Sequence, residues 1–347
     1  MAECNRNANG ACSDAGGINT NANGEAAHAE GNSTTADGNA SHAEGFETLA
    51  TGVASHVEGS QTNAIGTAAH TEGFQTTSVS DASHAEGSLT TAEGESAHAE
   101  GTLTLASGLS AHAEGNTTTA SGDYTHAEGM DTEASGFVAH TEGRSTVANN
   151  SYAHAEGFQP NASGSIYHAE GQGSIASGTN SHAEGYLTTA SGSTSHAEGG
   201  TSVASDSFAH AEGLFTQASG YVSHAEGSST VASNAFTHAE GIEMTAAGYA
   251  SHTEGSRTRR EGINAHAEGN TTLASGDYSH AEGRGTTASG NYAHAEGFNN
   301  IASGNGAHVE GERMQITLLY PILLLVIVRI LKVTEPPQAA QVLMQKV

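Results

Sequence analysis

Every histidine in this chain lies on one arithmetic progression. It runs His28, His42, His56 and onward in steps of 14 to His308, 21 histidines without a slip. Glu follows each of them two residues later, from Glu30 to Glu310, and Gly three residues later, from Gly31 to Gly311. A disordered tract has no physical reason to hold such a register, and a fixed period is the mark of a repeat architecture.

The unit divides into two halves, one ending at Gly24 and the other at Gly31. The Gly24 column is Gly in 17 of 21 units, with Ser80, Asn150, Asp206 and Asn234 as the exceptions. Asn and Asp tolerate a left-handed backbone best among non-Gly residues, so the column predicts a tight left-handed turn. A coiled coil would need large apolar residues at two heptad positions, whereas the fixed positions here are Ala and Gly. Gly nearly every seventh residue also costs a helix ~1 kcal/mol each time. Short strands between turns remain.

Side chains alternate between the faces of a strand. Ala27 and Ala29 then share one face and His28 and Glu30 the other. The Ala27 column is Ala, Ser or Thr except at Tyr167, and the Ala29 column is Ala, Thr or Val. On the second strand the Thr34 column is mostly Thr, and the Ala36 column is Ala except at Ser78 and Arg260. Small residues on one face of both strands predict an all-β parallel β-solenoid, thin in section, of about 21 coils of 14 residues. At strand spacing such a rod is ~100 Å long. Its core yields roughly a third of the apolar stabilisation per residue of a Leu core, so the backbone ladder between coils must carry much of the order.

Composition agrees. The 347 residues hold 45 Gly, 5% aromatics, no Trp and a formal net charge of −28. Nucleic acid is excluded as a partner, because phosphate binding needs clustered Lys and Arg. An enzyme gathers unlike residues in one pocket, whereas this chain spreads the same two over all its units, so no catalytic residues are expected.

The unit Ala-x-Gly-x-x-Ser-His-Ala-Glu-Gly-x-x-Thr-x resembles the 14-residue head repeat of YadA-like trimeric adhesins, over residues 18–311. Related His-Ala-Glu-Gly repeats are similar to those of phage tail appendages and Gram-positive surface proteins. The resemblance implies a left-handed β-roll and a homotrimer. In the family the positions of His28 and Glu30 face the trimer axis and typically carry apolar residues.

Glu side chains stacked ~5 Å apart repel one another. A His on the same face of the same strand can donate a hydrogen bond to each carboxylate. The expected structural ladder includes His112 with Glu114, His126 with Glu128, and His154 with Glu156. If those histidines are charged and paired, their pKa is raised and the stability they supply is lost as pH rises. Metal binding is the rival reading, with His28, Glu30, His42, Glu44, His56 and Glu58 as candidate ligands. A dedicated site usually gathers three or four ligands and no Cys or Asp cluster recurs, so no resident metal or other cofactor is expected. An ice-binding face is disfavoured because the regular Thr column shares parity with Ala36 and should point inward.

Residues 1–17 form a leader in which Asp14 and Gly17 stand where His and Gly would fall, a degenerate unit. Cys4 and Cys12 stand eight apart, a spacing open to pairing, to cross-linking of subunits or to free thiols, and not by itself a metal signature. No Sec signal peptide is visible. After Gly311 the composition changes, and residues 312–347 read as an apolar tail. Its run 316–331, which begins at Ile316 and ends at Leu331, fits a short membrane anchor, a packed cap or a truncated end. The whole reads as a non-enzymatic surface-exposed fibre or adhesin-like protein of a virion or cell surface. Its variable outward positions are candidates for contact with a host receptor or glycan. The alternative is a metal-binding or purely structural His/Glu array.

Overall fold

A computed structural model describes residues 5–317. Within them the chain is all β, with no helix, and its strands form two parallel sheets of 23 and 22 strands. Each repeat gives one strand to each sheet, as in His112–Asn116 followed by Thr119–Ala120. Every pairing is parallel and steps by one repeat: His112 opposes His126, Ala113 opposes Ala127 and Glu114 opposes Glu128. The molecule is therefore a β-solenoid of stacked coils.

Stacking begins before the first His. Arg6–Ala8 pairs with Thr20–Ala22, and in the facing sheet Asp14 opposes His28 and Gly17 opposes Gly31. Cys12 is exposed at a corner of this first coil, and Cys4 lies outside the described residues. At the other end Gln315–Ile316 pairs with Ile301–Ala302. Stacking thus continues past Gly311, where composition alone set the start of a tail. Met314 takes the Thr34 place and Ile316 the Ala36 place, and both pack against the core. Apart from Ile316 and Thr317, the candidate anchor lies outside the described residues. Among the described residues no helix is long and apolar enough to cross a membrane.

The corners differ from the expectation. The left-handed residues are not the Gly24 column but the Ala26 and Ser33 columns, with φ of 55° at Ala26 and 61° at Ser33. A side chain in that region costs about 1–2 kcal/mol. The offset is a hydrogen bond running backward. Ala26 N–H donates to Ala11 C=O and Ser33 N–H to Ile18 C=O, each at 2.8 Å, whereas His28 in its strand donates forward to Ser41 C=O at 2.9 Å. The Gly24 column is Gly for lack of room: a Cβ on Gly24 would stand 2.0 Å from the Gly38 carbonyl oxygen of the next coil. Three of its exceptions use their side chains on the next coil. Ser80 Oγ donates to Glu93 C=O at 2.5 Å, Asn150 Nδ2 to Ser163 C=O at 3.3 Å, and Asn234 Nδ2 to Ala247 C=O at 3.2 Å.

The core is the pair of small-residue columns. Ala29, Ala36 and Thr34 are fully buried, as parity requires. Some hydroxyls serve the backbone: Ser41 Oγ closes the corner on Gly38 C=O at 2.6 Å, and Thr90 Oγ1 donates across the coil to Glu86 C=O at 3.1 Å. Others, Thr34 and Thr118 among them, are buried without a partner. Met244 and Asn300 interrupt the Thr34 column, and one residue each breaks the rule in the Ala27 and Ala36 columns. Tyr167 is buried in the Ala27 column, and burial pushes its phenol up to about 12. Arg260 is 0% exposed between Ala246 and Ala274.

The Arg260 guanidinium donates through Nη1 to the His252 carbonyl, while Nε and Nη2 have no partner. Burial pushes its pKa down to about 9. A buried charge with unmet donors costs more than a small apolar residue in its place. Arg260→Ala is therefore expected to stabilise the rod by about 2–3 kcal/mol, read as a higher urea midpoint at unchanged slope. A lower midpoint would mean that the guanidinium is held by more than its one carbonyl.

Candidate functional site: the histidine–glutamate face

The outward face of the 22-stranded sheet carries the His and Glu columns. Parallel register sets each His on the next, and the rings stack. Centroids are 4.6 Å apart from His84 to His98, 4.7 Å from His98 to His112 and 4.8 Å from His112 to His126, with interplanar angles of 5°, 6° and 1°. The stack turns at two places. His28 stands at 86° to His42, with its Nδ1 3.7 Å from Asp14. His266 stands at 65° to His252, beside buried Arg260.

The structure brings the sequence-predicted residues to one face but does not form the expected hydrogen bonds. Nε2 to Oε2 separations are 3.6 Å for His28 and Glu30, 3.9 Å for His42 and Glu44, 3.8 Å for His112 and Glu114, and 4.0 Å for His126 and Glu128 and for His154 and Glu156. These are too long for hydrogen bonds. His56 is stacked between His42 and His70, at 4.8 and 4.9 Å, in the same coil as Glu58. The exception is the last rung, where exposed His308 and Glu310 meet at 2.6 Å. Along the interior of the stack, buried Nε2 atoms such as those of His98, His112 and His126 have no partner.

The electrostatics follow from this geometry and reverse the expectation. Burial pushes the His98 imidazole below its ordinary value, and its neighbours His84 and His112 push the same way. Glu86 and Glu114 pull against them with less effect. His112, His140, His154 and His196 are lowered for the same first reason. Burial thus disfavours the charged form of these five rings, which weakens them as counter-charges to the carboxylates beside them. The Glu column is continuous, with Glu100 opposite Glu86 and Glu114 opposite Glu100.

Sequence reasoning missed one influence on this face. Arg260 stood out as an exception in the Ala36 column, yet its consequence lies across the thin core, where its charge lowers His252 and His266.

Away from this face the corners carry aromatic rows. Phe208, Tyr221, Phe236 and Tyr249 form an exposed edge-to-face series with centroids 5.9, 5.6 and 5.6 Å apart. Tyr124, Phe137 and Tyr152 repeat the pattern at 5.8 and 5.7 Å. Comparison with protein-family models gives no match, and comparison with curated proteins gives none either.

Proposed function

We propose that this chain is a non-enzymatic, surface-exposed fibre or adhesin-like rod, acting as a homotrimer on a virion or cell surface. The observation that carries the reading is the unbroken parallel register from coil to coil, which makes length the property that the sequence specifies. Stability in such an array comes from nearest neighbours, so added coils lengthen the rod without a new core. The repeated His and Glu lie on a continuous face, as a subunit interface or structural ladder would. The likeness of the unit to YadA-like heads favours three chains side by side. Exposed aromatic rows at the corners suit contact with a receptor or glycan, since contiguous apolar surface on a soluble rod marks an interaction site.

Sedimentation and electron microscopy of the full chain test the assembly, with a three-chain particle about 100 Å long expected for the stacked part. A monomer or dimer would sink the trimer. Binding to a panel of glycans and host cells tests the corner. Tyr221→Ala with Phe236→Ala should abolish binding and leave the mass unchanged. Binding that survives the pair would move the contact elsewhere.

A further inference from the structure

The His–Glu face holds two unmet demands side by side. One is a row of buried imidazole nitrogens without donors or acceptors opposite them. The other is a row of carboxylates in parallel register, Glu86, Glu100 and Glu114 among them, stacked coil upon coil. The chain offers little other compensation, having 10 Lys and Arg against 38 Asp and Glu.

We propose that this face is a row of divalent-cation sites, each built from the His and Glu of one coil and the His of the next, for an ion that takes mixed nitrogen and oxygen ligands, such as zinc. His84, Glu86 and His98 present one ligand atom each, all within 4.8 Å of one another. His98, Glu100 and His112 repeat the arrangement one coil on, as do triads farther along the rod. The separation that is too long for a hydrogen bond suits ligands sharing an ion. Two ligands bound at about 2.0–2.2 Å stand roughly 3.3–3.5 Å apart, and His84 Nε2 lies 3.5 Å from Glu86 Oε2. The second ring must turn toward the ion. The column tolerates such turns, as the 86° and 65° steps at His28 and His266 show.

Successive triads share a histidine, so neighbouring sites exclude each other. Within a run of adjoining triads filling is therefore one ion for every two coils, and that ion balances the two Glu of those coils. Six such triads occur among the described residues, three of them overlapping in the run His84 to His126, so saturation is expected near four or five ions per chain. The fibre reading does not depend on this, and repeating the mass and length measurements on chelator-treated protein keeps the two tests separate.

The test is calorimetric titration of the full chain with Zn²⁺ at pH 7.5, beside Co²⁺ titration read by its visible spectrum. The expected result is saturation near four or five ions per chain, a cobalt spectrum of mixed nitrogen and oxygen ligation, and a higher melting temperature. Ca²⁺ and Mg²⁺, which prefer oxygen ligands, should not displace the Zn²⁺. His84, His98, His112 and His126 all changed to Gln should remove about two ions while circular dichroism stays that of the folded rod. Saturation at one or two ions, displacement by Ca²⁺, or an unchanged count in the four-site variant would overturn the proposal. If that variant does not fold, the wild-type cobalt spectrum decides, since all-oxygen ligation is equally fatal.

Discussion

Gly115→Ala is expected to destroy the coil-to-coil fit at its position. The added Cβ would lie 2.1 Å from the Gly129 carbonyl oxygen of the next coil, and φ there is +114°, outside the left-handed well that side chains tolerate. The next coil cannot retreat by more than an ångström without losing strand hydrogen bonds such as His112 N–H to Thr125 C=O at 2.9 Å. A loss above about 4 kcal/mol follows, the scale of clash and backbone strain combined. Because each coil is stabilised by its neighbours, the damage should divide the rod into two segments that melt separately. Gly306→Ala is the control. Its φ is +66° with nothing within 4 Å of the added carbon, and Ala26, Ala40 and Ala54 occupy that column at φ of 55°, 56° and 56°. It should stay within about 0.5 kcal/mol of wild type. Urea denaturation followed by circular dichroism separates the two variants. A single wild-type-like transition for Gly115→Ala would show that the stacking yields more than the geometry allows.

The same glycines show which parts of the fold were legible in the sequence. The period, the strand parity and the inward Thr34 and Ala36 columns are local facts, fixed by alternation along one strand, and the structure has them as read. The reason for the Gly24 column was not local. It reflects the carbonyl of the next coil, 14 residues on, and residue type alone cannot separate that crowding from a left-handed turn. The true left-handed corners hold Ala, Ser, Tyr and Phe, because a backward hydrogen bond to the previous coil offsets their strain and leaves no signature in composition. The His–Glu pairing failed for a related reason. Residues two apart on a strand stand about 6.5 Å apart along it, while the next coil's ring lies under 5 Å away, as at 4.6 Å for His84 and His98. The ring therefore stacks on its neighbour instead of reaching its carboxylate. At the C-terminal end, composition changed before register did. Met244 within the array already showed that the Thr34 column admits Met, a signal that could have extended the stacking to Met314 and Ile316.

In metal-free buffer the rod should melt at rising temperature as pH is raised from 5 toward 7.5, the opposite of a charged, paired ladder. Ten histidines are held below the ordinary imidazole value, burial being the first cause in each. Between that lowered value and the unfolded value of about 6.5, the unfolded chain binds protons that the folded rod refuses, so stability increases with pH. The contribution is fully present above about 6.5 and is lost as pH falls through the window below it. The groups facing these rings are the stacked histidines of neighbouring coils, the Glu column beside them, and Arg260 at His252 and His266. The histidines and the arginine disfavour protonation, and the carboxylates favour it with less effect. Shifts of one sign add along the column, so the slope should exceed that of a single histidine. Arg260→Ala should relax it at two rungs only. Thermal melts at half-unit pH steps in chelator-containing buffer decide the matter. Stability that falls as pH rises would restore the charged His–Glu pairs and remove the neutral stack.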